Sequence, residues 1–244
     1  QADLVSLPQG SYDDQVRASA LSKQLPCVLD LDGPYVASYV WSGYLIPLDR
    51  YISEKMKADF LPSIAKQGTY HGKLYTVCFY ESGLGIWGNK TYLKKAGVRI
   101  PTGVDDAWKL KEFEDALKRL KALPEVEYPL DLKINYGPGT EFYTYGFSPI
   151  LQSFGGDLID RGDYQTAQGV LNGPKAVKAM TWFQQLFKQG YANPEPDGDD
   201  AFYGRKTAAL ALVGLWMWPA HHQALGDDLV LLPMPKFGPR HVAS

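Results

Sequence analysis

Four side chains stand where the pattern of the chain could place chemistry. Asp32 ends the short apolar run 27–31, and Glu81 follows the run 74–80. Both runs read as strands, and ligands of open α/β sheets gather at the C-terminal ends of strands. An ionised carboxylate there can accept two charge-assisted hydrogen bonds from neighbouring hydroxyls. Asp32 also opens an Asp-Gly-Pro turn, so capping that turn is its other reading. Trp216 and Trp218 follow a third such run, 207–213, across Gly214. An indole in that position offers a flat apolar face on which a pyranose can stack; filling a core is the alternative use of the same ring.

Other motifs carry less. Gly83-Leu84-Gly85-Ile86-Trp87-Gly88 matches the dinucleotide fingerprint, but its apolar residues make the segment itself extended, whereas the fingerprint needs a strand-to-helix turn. His221-His222 are adjacent on an expected helix, share no face and lack a third ligand, so they read as a surface pair. Asp197, Asp199 and Asp200 lack the spacing and terminal Glu of a calcium loop. Asn89-Lys90-Thr91 is a glycosylation sequon of a kind that arises by chance. No nucleophile elbow and no phosphate-binding loop occurs. No cofactor and no metal site is expected.

The 244 residues carry a net charge of -2, with 45% hydrophobic and 13% aromatic residues. Without a basic excess, nucleic acid is not an expected partner. No apolar run is long enough to cross a bilayer as a helix. Cys27 and Cys78 could be joined or free.

The elements that would position these residues alternate between helices and short apolar strands, an α/β pattern. Strands are expected at 1–7, 27–31, 74–80, 84–87, 130–136, 207–213 and 229–232. Helices are expected at 10–23, 35–43, 92–96, behind Thr102 as N-cap, at 142–154 and from Pro174 to Lys188. The helix behind Thr102 is the clearest, with Trp108, Leu110, Phe113, Leu117 and Leu120 at helical spacing.

These residues also sit in blocks that resemble the bacterial extracellular solute-binding proteins of the maltose-binding type. SGYLIPLDRYI, GTYHGKLYTVCFYESGLGIWGNKTYLKKAGV, PTGVDDAWKLKEFEDALKRLKA, SPILQSFGGDLID, LNGPKAVKAMTWFQQLFKQGYANP, FYGRKTAALALVGLWMWP and LVLLPMPKFG follow one another in the family's order. Cys78 stands where the family has proline, Gly88 where it has tyrosine, and Cys27 where an aspartate is common.

The resemblance implies a type II periplasmic-binding-protein-like α/β fold of two lobes joined by a hinge. The expected division is a partial first lobe at 1–88 and most of a second at 89–244, with crossing strands around 84–100. Against a complete member, the chain reads as a fragment without the first strand and helix and without the C-terminal segments. The implied function is non-catalytic: an extracytoplasmic receptor, free or lipid-anchored, takes a mono- or oligosaccharide between its lobes and presents it to the permease subunits of an ABC importer. A full-length member would be monomeric. Carried over by position, Asp32 and Glu81 are hydrogen-bonding carboxylates of the first lobe. Tyr145 stacks on sugar from the second lobe, and Trp216 is the main stacking face. Trp41, Trp218, Tyr80 and Tyr35 are further candidates. Two rivals are a polyamine or sugar-phosphate receptor of the same fold, since aromatics and acids also suit ammonium groups, and a glycoside hydrolase, which needs two carboxylates flanking one bond.

Overall fold

A computed structural model describes residues 3–78, 82–195 and 198–243. Tyr80, Glu81 and Asp197 lie outside these described residues. The chain forms two compact units, Gln1–Glu81 and Ser82–Ser244.

The first unit is built from short pieces: α1 (Tyr12–Leu21), α2 (Val36–Trp41), α3 (Glu54–Ala58), α4 (Pro62–Gln67) and a hairpin of β1 (Thr69–Tyr70) with β2 (Lys73–Leu74). His71 and Gly72 both take positive φ, as a two-residue hairpin loop requires. The Ser53 hydroxyl caps α3 by accepting from the Met56 N–H at 3.2 Å. The buried core is small, with Val16, Ala20 and Tyr39 at its centre. The strands expected at 1–7 and 27–31 do not form among the described residues. An extended segment becomes a strand only by pairing, and neither run finds a partner; Leu4 and Val28 stay exposed. Of the described residues of the strand expected at 74–80, Leu74 belongs to β2 and 75–78 have no regular secondary structure. Cys27 is a free thiol, and Cys27 and Cys78 are both exposed.

The second unit is organised by a four-stranded sheet. Its strands are β3 (Leu84–Asn89), β4 (Leu130–Asp131), β5 (Leu210–Gly214) and β6 (Leu229–Leu232), in the order β4-β5-β3-β6. β4 runs parallel to β5, and β3 runs antiparallel to both β5 and β6. Every residue of β3 and β5 is buried, as expected of central strands covered on both faces. Their side chains divide by alternation. Leu84, Ile86, Leu210 and Leu212 face the larger core, while Trp87, Ala211 and Val213 face a smaller one with Phe202 and Met217. Helices α5 (Lys90–Lys95), α6 (Leu110–Lys121), α7 (Phe142–Ser153) and α8 (Pro174–Lys188) contribute to the larger core. Helix α9 (Trp218–Leu225) follows β5 after one short turn, Leu215–Met217.

Residues 84–88, expected in the first lobe, all pair with β5 within this unit, and 86–88 pair with β6 as well. The glycine motif is part of the strand: a Cβ on Gly85 would lie 2.6 Å from Leu231 Cδ1, so those glycines serve close strand packing. Asn89 is buried and caps α5 by accepting from the Tyr92 N–H at 3.2 Å, a structural use of the sequon asparagine.

Three local expectations are corrected. The helix expected behind Thr102 begins only at Leu110; instead, the Asp106 carboxylate accepts from the Thr102 and Gly103 N–H groups, both at 2.9 Å, and holds a separate turn. The strand expected over 130–136 stops at Asp131. Lys133 takes φ 55, which ends the ladder and leads into a single helical turn, Ile134–Tyr136. His221 is wholly buried, so only His222 of the pair is at the surface.

Candidate ligand-binding site

β5 ends at Gly214, and the residues that could hold a ligand gather there. The Gly214 carbonyl accepts from the buried Trp87 Nε1 at 3.3 Å. On the other side, the Trp216 ring folds back over Gly214 so closely that a Cβ there would lie 2.0 Å from the indole. Only glycine leaves room for this. Trp216 keeps 40% of its surface exposed.

Tyr145 of α7 lies beside it, with ring centroids 6.2 Å apart and planes tilted by 36°. The Tyr145 hydroxyl donates to the Ser82 carbonyl. Beneath both rings, buried Phe142 meets Trp216 edge-on at 6.4 Å and Tyr136 edge-on at 4.8 Å. Phe142 can lie flat along its own helix because residue 146 is glycine; a Cβ there would come within 2.9 Å of the phenyl ring. Alternate turns of α7 have other neighbours. Tyr143, Phe147 and Leu151 line a separate apolar hollow of about 480 Å³ with Phe183 and Phe187 of α8.

Tyr136 is the residue that sequence reasoning missed. Its hydroxyl accepts from Trp216 Nε1 at 3.5 Å. Burial pushes its pKa up, and the nearby Asp199 carboxylate adds to the rise. The signal available in the sequence was the Gly137-Pro138-Gly139 loop, which marks where the chain leaves the β4 end of the sheet.

The structure therefore brings together Trp216 and Tyr145, two of the expected site residues. Trp218 joins a different group: it stacks on His222 at 4.7 Å with planes 13° apart and lies 5.9 Å from Trp87. In the first unit, Asp32 precedes the turn Gly33–Tyr35, but its side chain makes no cap hydrogen bond, so it does not cap that turn as its alternative reading expected. Partial burial raises its pKa, and the carboxylates of Asp13 and Asp30 reinforce the shift. The Tyr35 hydroxyl donates to Asp13 Oδ2 at 3.0 Å, and Trp41 is 80% exposed. No group of His, Cys, Asp and Glu that could hold a metal ion occurs among the described residues.

Residues 4–242 match the bacterial extracellular solute-binding protein family. The chain belongs to this family. The family is one of binding proteins, and the solute-binding chain has the type II periplasmic-binding-protein fold of its solved relatives. One is the GacH receptor of Streptomyces glaucescens, studied unliganded and with acarbose: 22% identity, TM-score 0.76, covering 98% of this chain and 60% of that one. Another is an ABC substrate-binding protein of Listeria monocytogenes in complex with cycloalternan, at 19% identity and TM-score 0.80, covering 99% and 60%. A third is UgpB of Mycobacterium tuberculosis in complex with glycerophosphocholine, at 19% and 0.76, covering 95% and 58%. The solute-binding chain thus spans about 60% of the length of these relatives.

Proposed function

We propose that this solute-binding chain belongs to an extracytoplasmic receptor that captures a mono- or oligosaccharide and hands it to an ABC importer. The observation that carries this reading is the pair of partly exposed rings, Trp216 and Tyr145, set side by side at the C-terminal end of β5. A pyranose presents both an apolar face of C–H groups and a rim of hydroxyls. Flat rings with polar tips suit such a ligand. Relatives of the same fold were solved with acarbose and cycloalternan. Asp32, and Glu81 by position, would add carboxylates that accept from sugar hydroxyls, worth about 1.5–3 kcal/mol each. Trp41, Trp218, Tyr80 and Tyr35 are secondary contributors on this reading. In the whole protein, the ligand would bridge two lobes and favour their closed state. Permease subunits would read that state, and a lipid anchor is one way to keep the receptor near them.

A cationic ligand such as a polyamine is the second reading. It is favoured by the cluster of Asp13, Asp30 and Asp32, whose mutual repulsion an ammonium group would relieve.

A calorimetric panel of maltose, maltotriose, chitobiose, spermidine and glycerophosphocholine separates the two. Binding of a neutral sugar with little response to salt is expected, whereas spermidine binding that weakens with salt would replace the sugar reading. Trp216→Ala should abolish measurable sugar binding while circular dichroism stays native. Retained affinity in that variant would remove Trp216 from the site. Hydrolysis of the oligosaccharides during incubation would overturn a binding role.

A further inference from the structure

We propose that Tyr136 is a positioning residue of this site, and that its hydroxyl fixes the plane of the Trp216 indole. The consequence for affinity rests on the carbohydrate reading; the positioning itself does not.

The argument begins at the end of β4. Lys133 is wholly buried and left-handed, and Asp131 Oδ1 accepts its N–H at 3.0 Å. That kink turns the chain out of the sheet and delivers Tyr136 one helical turn later. A fully buried ammonium needs partners. Lys133 Nζ donates to the Asp199 carbonyl at 2.6 Å and lies 2.9 Å from Asp131 Oδ2 and 3.1 Å from Asp199 Oδ1. Asp199 is thereby tied to the end of β4. The Asp199 carboxylate is near enough to the Tyr136 hydroxyl to act on it electrostatically. The indole Nε1–H of Trp216, which can only donate, meets the Tyr136 oxygen at 3.5 Å. Phe142 buttresses both rings from below. A stacking surface is useful only if its plane is held before the ligand arrives, because ordering a ring on binding costs affinity.

The test uses Tyr136→Phe, which keeps the ring against Phe142 and removes only the oxygen. The six tryptophans give six indole N–H resonances, and the one lost in Trp216→Phe identifies Trp216. In the ligand-free protein, Tyr136→Phe should shift the Trp216 resonance and leave that of Trp108 in place. An unmoved Trp216 resonance in folded Tyr136→Phe would overturn the proposal.

With maltotriose as probe, Tyr136→Phe should raise Kd about three- to tenfold, the value of one modest hydrogen bond. In a Trp216→Phe background it should change Kd by less than about twofold. An equal loss in both backgrounds would show that Tyr136 acts without Trp216, and would also overturn the proposal. A shifted Trp216 resonance in a protein that binds none of the panel's sugars would count against the carbohydrate reading and leave the positioning role standing.

Discussion

His221 sits wholly buried among the rings of Trp87, Phe202 and Tyr203, and neither ring nitrogen has a hydrogen-bond partner. Desolvation lowers its pKa to about 4, and the Lys133 ammonium pushes the same way, against a smaller opposing effect of Asp199. The unfolded chain takes up a proton near pH 6.5, well before the folded one. Between those values the unfolded state binds more protons, so stability is full above about pH 6.5 and falls as pH drops toward 4. The loss attributable to this side chain is roughly 3 kcal/mol. His221→Phe fits an aromatic nest and has nothing to protonate. Its Tm should therefore decline less than that of the parent between pH 7 and 4.5; parallel curves by thermal denaturation would show that His221 does not carry the acid sensitivity. Two adjacent histidines read as a surface pair because their spacing gives no indication of what packs above a helix. The burial of His221 comes from Trp87 and Phe202, which lie 134 and 19 residues away in sequence.

β5 and the turn after it make the candidate site, and Gly214 is the joint between them. A methyl group at 214 would collide with the Trp216 ring at 2.0–2.6 Å, while the backbone φ of -83° suits any residue. The clash is with a side chain that can swing out, so Gly214→Ala should cost only about 1 kcal/mol of stability. It should nevertheless expose Trp216, shift its emission to longer wavelength and weaken maltotriose binding at least tenfold. Unchanged emission and affinity would show that the folded-back indole is not required. At this scale the sequence was informative where an element is decided by its own residues. The buried strands 84–89, 210–214 and 229–232 and the helices α7 and α8 are legible as apolar runs, helical spacing and a Pro at the start of α8. It misled where partners decide. The runs 27–31 and 75–78 have strand composition but no regular secondary structure, and 133 breaks its strand through a lysine that the pattern reads as an ordinary polar residue. The pairing of Trp216 with Tyr145 was foreseeable only through resemblance, because 71 residues separate them. Tyr136 was hidden inside an expected strand.

The two units differ in how much of each is internally supported. The second has a four-stranded sheet and a continuous core that includes Trp108, Phe113, Leu117, Leu210 and Phe237, all nearly inaccessible. The first has a two-stranded hairpin of four residues and a buried centre of Val16, Ala20 and Tyr39, and it leaves Val28, Trp41 and Ile46 exposed. An isolated two-stranded hairpin is marginal in water, and a small core offsets little of the conformational entropy of ordering about 80 residues. Local opening free energies follow such differences, from near zero at poorly packed segments up to the global value in the core. Hydrogen exchange should therefore separate the units. Amides of β3 and β5 should exchange at least about a hundredfold more slowly, relative to their intrinsic rates, than those of α1, α2 and β2. A hundredfold ratio corresponds to a gap of about 3 kcal/mol in opening free energy. A sugar held by Trp216 and Tyr145 alone should slow exchange around 136, 145 and 214–216, with no effect on 12–74. Added protection at 32–41 on sugar binding would instead bring Asp32, Tyr35 and Trp41 into the ligand's reach. Equal protection of both units in the absence of sugar would refute the ranking of their stabilities.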